Sequence, residues 1–261
     1  MSTTMSTKST PKSADQVRPI TFADIADALK KGAADFWARP SHYIFLVLIY
    51  PIVGIILAVW TSGGELFALL YPLATGFALL GPIAAIGLYE ISRRREQGLD
   101  DHPRHAFKVL RSPALKSILL VALLLVACFV GWLLAAGALY QHYFRVDAPT
   151  TLTALIQETL TTSRGWGLLM WGNLIGLCFA LFVLATTVIA FPYLVDRGGG
   201  AGRAIGISLR AVMTSPAQFI GWGIVVAALL LLGSIPFFVG LAIVLPILGH
   251  ATWHLYRKTV A

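Results

Sequence analysis

The chain has 261 residues, of which 57% are hydrophobic and only 12% are charged. A soluble domain of this length cannot bury so much apolar surface, so the composition excludes an ordinary soluble protein and predicts a membrane protein. The formal net charge of +8 would favour nucleic-acid binding in a soluble protein, but in a membrane protein the positions of the charges matter more, and we expect no nucleic-acid partner.

Five long runs of the chain carry no charged residue, and they are Tyr43–Trp60, Leu66–Tyr89, Ser117–Phe144, Gly165–Val195 and Ala211–Tyr256. Crossing a bilayer takes about 20 helical residues, so each of the first four runs predicts one span. The last run is long enough for two, with a hinge at residues 233–236. We therefore predict an all-α membrane protein with six spans, at about residues 43–60, 66–91, 117–140, 166–195, 217–233 and 236–256.

The chain begins with a polar segment that is rich in Ser, Thr and Lys. This segment has no apolar core of the kind that a signal peptide needs, so residues 1–20 are predicted to be a disordered cytoplasmic tail. Residues 21–258 then form one transmembrane domain. Cys128 and Cys178 fall within predicted spans and are interpreted as packing residues.

A helix is predicted to begin after Thr21, because Asp24 stands three residues later and can complete a cap. Phe22, Ile25, Leu29 and Phe36 share one face of this helix, with Trp37 beside it. The pattern is typical of a helix that lies in the headgroup layer of a membrane. A soluble helix that binds a partner protein is the alternative.

Similar short helices precede two later spans, at residues 107–113 and 208–216, and each ends in Ser-Pro. In addition, Gly240–Lys258 aligns without a gap on Gly76–Arg94, so that Pro246 matches Pro82. These similarities predict three parallel repeats, each made of a short interfacial amphipathic helix followed by two transmembrane helices.

Every Lys and Arg except Arg145 and Arg164 falls on one side of the predicted spans. Lysine and arginine resist translocation, so this side is predicted to be cytoplasmic and to hold both termini. On the same side, five arginines are predicted to form a basic cluster facing anionic lipid headgroups: Arg93, Arg94, Arg95, Arg197 and Arg203. The glycine-rich segment 198–202 is interpreted as a flexible exit from the fourth span, or alternatively as an amide-lined anion nest.

His250 and His254 are four residues apart on one helix face, which is a spacing compatible with a metal or haem. A polar cluster between helices is the alternative. The alignment of the repeats places Glu90 at the position of His254, so these two residues are a candidate intramembrane polar pair. Alternatively, Glu90 pairs with Arg93 or Arg94 on its own helix. We predict no cofactor.

Two sequence motifs carry a resemblance to a known family. They are the closing stretch Leu245–Lys258 and Phe191–Arg197, together with the helix 204–216 that follows the second motif. The chain resembles, over about residues 20–258, a bacterial family of integral membrane proteins called domain of unknown function 2189, some members of which carry the label cytochrome c oxidase subunit I. The resemblance implies a multi-pass protein of the bacterial inner membrane and implies no mechanism.

No serine or cysteine nucleophile stands beside a recognisable base, and we expect no catalytic residues and no enzymatic activity. The expected function is that of a structural or accessory membrane protein, which binds the lipid bilayer with its anionic headgroups or a membrane protein complex. Two alternatives are a small-molecule transporter or permease and a haem- or metal-linked accessory factor of a respiratory oxidase.

Overall fold

Helices dominate the structure, because a helix satisfies its own backbone hydrogen bonds without water. The structure is a computed structural model that describes residues 15–38, 54, 70–145, 149, 151–235 and 239–261. Residues 1–14 and, apart from Gly54, the predicted first span at 43–60 lie outside this part of the chain.

The described helices are named here in chain order. They are α1 (Phe22–Ala38), α2 (Leu70–Phe77), α3 (Gly81–Glu96), α4 (Leu115–Phe144), α5 (Leu152–Thr161), α6 (Ser163–Thr187), α7 (Ala190–Asp196), α8 (Ala201–Thr214), α9 (Pro216–Ser234) and α10 (Leu241–Thr259). Two 3₁₀ segments, Ala78–Leu80 and Pro103–Arg111, complete the regular structure. Within the described residues, extended pairing is limited to a single bridge between Val17 and Val260.

Four helical stretches of the described chain are long and apolar enough to cross a bilayer, namely Tyr71–Glu96, Leu115–Phe144, Ser163–Asp196 and Pro216–Ser234. They overlap four of the six predicted spans, and the all-helical membrane class is confirmed. The predicted sixth span, residues 236–256, corresponds to α10 but is not among these four stretches. The second half of α10 is polar and ends in Arg257 and Lys258, which lowers its hydropathy.

Two of the spanning stretches are interrupted close to proline residues. The Ala78–Leu80 segment precedes α3, where Pro82 stands in the first turn. Val188 and Ile189 separate α6 from α7, and Pro192 follows within α7. The backbone amide of Ile189 donates to the Ser208 hydroxyl at 3.2 Å, so a side chain of α8 satisfies a backbone group at the second break.

The predicted helix α1 packs along α10 and buries Ile25, Ala28, Gly32 and Phe36. A Cβ atom on Gly32 would lie 2.6 Å from the backbone nitrogen of Ala251, so the two helix backbones touch at this point. By contrast Phe22, which the sequence analysis assigned to the same apolar face, is 58% exposed. Helix α1 therefore packs along one face against α10 of the same chain. The sequence pattern predicted a helix in the headgroup layer and did not indicate this intramolecular contact.

The predicted cap of α1 is confirmed. The backbone amide and the hydroxyl of Thr21 donate to Asp24 Oδ2 at 2.9 and 2.7 Å. The Asp24 amide donates back to the Thr21 hydroxyl at 3.2 Å. The hydrogen bonds from Thr21, together with one from Lys258, lower the pKa of Asp24 to about 2.

The segment before α1 pairs with the end of the chain. The Arg18 amide donates to the Thr259 carbonyl at 2.8 Å, and the Ala261 amide donates to the Gln16 carbonyl at 3.0 Å. The Ile20 side chain is buried. Residues 15–20, which the sequence analysis placed in a disordered tail, are thus packed against the C terminus.

The largest fully buried side chains gather where the end of α10 meets α7 and the start of α9, and they include Trp222, Trp253, Tyr256, Phe191 and Phe219. The spanning helices instead expose long apolar faces. Examples are Leu123 and Leu134 on α4, Met170 and Leu177 on α6, and Ile224 on α9. The exposed faces match a protein whose apolar surface lies against lipid chains.

Candidate functional site: a basic cleft

Three helix ends and the start of α8 meet at one end of the molecule, which we call the basic end. Arg257 of α10 donates from Nε to Glu96 of α3 at 3.0 Å and from Nη1 to Asp196 of α7 at 3.3 Å. Arg203 of α8 and Arg197, which directly follows α7, both donate to Asp15, at 2.7 and 2.8 Å. Ion pairs therefore join the C termini of α3, α7 and α10 to α8 and to the N-terminal segment.

An open cleft of about 590 Å³ lies at the basic end. Its walls are the last turns of α3, the 3₁₀ segment and turn at residues 108–114, and the end of α7 with the loop that follows it. The charged residues that line it are Glu90, Arg93, Arg94, Lys108, Asp196 and Arg197. Four cations against two carboxylates give the lining an excess of positive charge.

The cations of the cleft differ in how far they are already neutralised. Arg93 donates to both carboxylate oxygens of Glu90 at 2.9 Å, so this pair is self-contained. Arg94 donates from Nε to the Asp100 carbonyl at 2.6 Å and lies 3.8 Å from Glu90. Lys108 makes no hydrogen bond or ion pair with any described residue, so its ammonium is available to a ligand.

The loop that contains Asp100, whose carbonyl accepts from Arg94, is itself held in place by hydrogen bonds. His105 Nε2 lies 2.8 Å from Asp100 Oδ2, and the His102 amide donates to Asp100 Oδ1 at 3.1 Å. These bonds, that of His105 first, lower the pKa of Asp100 to about 2. Asp100 is therefore a carboxylate at neutral pH, and its backbone holds the Arg94 guanidinium at the cleft wall.

Two glycines with positive φ complete the cleft. Gly198 has φ +69° and Gly199 has φ +95°, a backbone conformation that other residues adopt at a cost. The Gly198 amide closes α7 by donating to the Leu194 carbonyl at 3.1 Å, which is the usual way a glycine ends a helix. The Gly199 amide donates to none of the described residues, and Gly199 is exposed.

The structure divides the predicted basic cluster. Arg93, Arg94 and Arg197 line the cleft. Arg95 turns to α1, where Nη1 donates to the Asp35 carbonyl at 3.0 Å, and Arg203 binds Asp15. Arg95 and Arg203 therefore fasten the N-terminal part of the chain to the basic end, and Arg197 contributes to this through its own bond to Asp15.

Glu90 and His254, the candidate polar pair, have different partners. Glu90 binds Arg93, which is the local alternative drawn from the sequence. His254 Nε2 instead lies 2.9 Å from Oδ2 of Asp35 on α1. Burial alone would raise the pKa of Asp35, but the hydrogen bond from His254 and the neighbouring positive charges hold it below its usual value.

His250, the other candidate metal ligand, is buried and hydrogen-bonds through Nδ1 to the Ser92 hydroxyl. In the described part of the chain, no group of three or more His, Cys, Asp and Glu side chains is arranged to hold a metal ion. His250 and His254 are thus placed in the contact between α10 and its neighbours α3 and α1.

Polar side chains along the spans are also engaged within the protein. Tyr71 donates to Asn173 Oδ1 at 2.9 Å, and Asn173 donates to the Leu169 carbonyl at 2.8 Å. The hydroxyls of Thr186 and Thr187 donate to carbonyls of their own helix. The Tyr71–Asn173 bond joins α2 to α6, whereas the threonine bonds stay within α6.

Two residues of the basic end were missed by sequence reasoning. Lys108 was noted only as part of a short helix, and Asp35 was not singled out. A signal for Asp35 existed: Ala28, Gly32 and Asp35 follow one another at i, i+4 and i+7, so two small residues and a carboxylate share a helix face. Such a face favours close contact with another helix.

Residues 70–196 match the model of a family described as "Predicted integral membrane protein (DUF2189)". The resemblance drawn from the sequence is therefore confirmed over α2 to α7, slightly less than half of the chain. The expected extent, residues 20–258, was larger, and the closing motif at Leu245–Lys258 lies outside the match. No curated protein and no solved structure matches the chain.

Proposed function

We propose, from the match of residues 70–196 to a family of integral membrane proteins, that this is a structural or accessory protein of the bacterial inner membrane without enzymatic activity. Its role is to bind anionic lipid headgroups at the basic end, through short helices that lie in the membrane surface. In the same proposal, the chain forms three parallel repeats with six spans, and both termini are cytoplasmic.

The observation that carries the proposal is the composition of two short helices that precede spans. In the 3₁₀ segment Pro103–Arg111, Phe107 and Leu110 are each 62% exposed. On α8, Met213 is 69% exposed and Leu209 is 37% exposed. Large apolar side chains are rarely grouped on a surface that faces water, whereas they are typical of helices in the headgroup layer.

Basic side chains stand beside these apolar ones. Arg111 and Arg210 are exposed and make no ion pair with a described residue. Each follows an exposed leucine directly, Leu110 or Leu209. An arginine near an anionic membrane surface contributes about 1 kcal/mol of binding free energy. Both segments end just before α4 and α9, so membrane insertion of those helices would bring the arginines to the headgroups.

We expect the orientation of the protein to follow its basic residues. A reporter that is active only outside the cytoplasm should be inactive when it is fused after Ala261 and active when it is inserted within residues 148–162. The physical reason is the cost of translocating Lys and Arg, which concentrate at the basic end. The opposite activity pattern would refute the proposed orientation.

Replacing Arg111 and Arg210, which make no ion pair with a described residue, tests the proposed lipid binding. We expect the double variant Arg111→Gln, Arg210→Gln to retain about tenfold less phosphatidylglycerol, relative to phosphatidylethanolamine, when the protein is extracted from mixed vesicles of these two lipids. The measurement is lipid mass spectrometry of the purified protein.

The matched control is the double variant Arg111→Lys, Arg210→Lys, which keeps both charges and should keep the parent lipid ratio. Equal phosphatidylglycerol retention by the glutamine variant and the parent would contradict a role of these helices in anionic lipid binding.

A further inference from the structure

We infer that the cleft at the basic end is a binding site for a phosphoryl group, held by Lys108, Arg94, Arg197 and the backbone amide of Gly199. This site lies between helices, whereas the proposed function rests on the exposed faces of two short helices. The inference deepens that proposal, since a lipid headgroup is one source of the phosphoryl group, but it involves neither Arg111 nor Arg210.

The charge balance of the cleft favours an anion. Arg93 and Glu90 neutralise each other through two hydrogen bonds of 2.9 Å. Asp196 accepts from the Tyr256 hydroxyl at 2.6 Å and from Arg257, which does not line the cleft, at 3.3 Å. Arg197 donates to Asp15 at 2.8 Å, but Arg203 donates to the same carboxylate, so the two arginines keep one net positive charge. The side chains of Arg94 and Arg197 are only 12% and 30% exposed. Positive charge in a partly desolvated concave site attracts an anion more strongly than the same charge on an open surface.

The available groups of the cleft are hydrogen-bond donors. The ammonium of Lys108 has no partner among the described residues, and neither does the amide of Gly199. The Ser112 oxygen accepts a hydrogen bond from the Ala114 amide at 3.1 Å, which leaves its own proton free to donate. Several donors converging from different directions suit a tetrahedral group with several acceptor oxygens, as a phosphoryl group has.

The glycine loop leaves room for such a group. A Cβ atom on Gly199 would meet no other atom within 4 Å, and one on Gly198 would meet only Ala114 Cβ at 3.9 Å. With no side chain at either position, a ligand can approach the backbone directly. The volume of about 590 Å³ exceeds what a bare phosphate fills, so the cleft has room for a substituent on the phosphoryl group.

Two sources can present this chemistry, namely the headgroup of a membrane lipid and a soluble phosphate ester. The test uses the full-length protein in maltoside micelles free of phosphate. Isothermal titration calorimetry measures the dissociation constants of inorganic phosphate, glycerol 3-phosphate and dihexanoyl phosphatidic acid. Binding of the phosphatidic acid alone identifies the lipid source, and equal or tighter binding of glycerol 3-phosphate identifies the soluble one.

Lys108→Gln should weaken whichever probe binds by about tenfold, because it removes one charge-assisted hydrogen bond. Lys116→Gln is the matched control: Lys116 is exposed, lies at the start of α4 and does not line the cleft, so its removal should leave the dissociation constant within twofold of the parent. Since Lys108 makes no hydrogen bond or ion pair with a described residue, both variants should keep the thermal stability of the parent.

Two results would overturn the inference. One is that none of the three probes binds the parent protein, and the other is that the two variants weaken binding equally. Neither result depends on phosphatidylglycerol retention by the Arg111 and Arg210 variant, so failure of the phosphoryl site and failure of the proposed lipid binding are distinguishable.

Discussion

Replacing Gly32 by alanine should destabilise the protein by about 1–3 kcal/mol, because α1 and α10 touch at this residue. The added Cβ would lie 2.6 Å from the backbone nitrogen and 2.8 Å from the Cβ of Ala251, and 2.7 Å from the backbone oxygen of Ile247. Two of these three atoms are backbone, so a rotamer change cannot relieve the contact and the helices must move apart. The measurement is the free energy of unfolding in detergent.

Gly206→Ala is the control for this experiment. Gly206 also lies within a helix, α8, but a Cβ atom there would meet nothing within 4 Å. Alanine is a better helix former than glycine by about 1 kcal/mol, so this variant should be as stable as the parent or more stable. Equal stability changes for Gly32→Ala and Gly206→Ala would refute the close contact of α1 with α10.

Replacing Asp35 by asparagine should lower the free energy of unfolding at neutral pH by about 1–3 kcal/mol, since it removes the negative charge and turns one of the two acceptor oxygens into an amide donor. Asp35 Oδ2 lies 2.9 Å from His254 Nε2, and Asp35 Oδ1 accepts from Arg95 at 3.3 Å. Only 16% of the Asp35 side chain is exposed, so water replaces these bonds incompletely.

The effect of Asp35→Asn should depend on pH in a defined direction. The pKa of Asp35 in the folded protein is below the ordinary value of 3.8, so the carboxylate contributes its stabilisation above about pH 4. As the pH falls through the folded pKa, Asp35 becomes protonated in the parent too. The stability difference between the parent and the variant should therefore shrink below pH 4.

Asp27→Asn serves as the comparison on the same helix. Asp27 pairs with Lys31 and Lys258 at 2.9 Å, but its side chain is 39% exposed, so water can replace these partners and the loss should be small. If both variants lowered the free energy of unfolding equally, the burial of Asp35 would not strengthen the interactions of its carboxylate.

Properties that depend on local sequence were predictable for this protein. The helices α4, α6 and α9 follow from long runs without charge, because the backbone in lipid must bond within its own segment. The cap of α1 follows from the three-residue spacing of Thr21 and Asp24.

The candidate site was predictable only in part. The sequence places Arg93, Arg94 and Arg197 on one side of the spans, and the structure brings these three to the cleft. It does not reveal that Arg95 binds Asp35 or that Arg197 and Arg203 share Asp15. The residues of each pair are distant in the chain, and no repeat or spacing relates them.

What the sequence by itself determined, then, is the helical membrane class and the concentration of basic residues on one side, because hydropathy and charge are sums over neighbouring residues. Tertiary structure alone decided which charges remain available to a ligand. The pairing of a charged group depends on which helix backbones come into contact, and that in turn depends on small residues such as Gly32, whose effect on packing is visible only when the partner helix is in place. For the same reason His254 binds Asp35 of α1 while Glu90 binds Arg93 of its own helix.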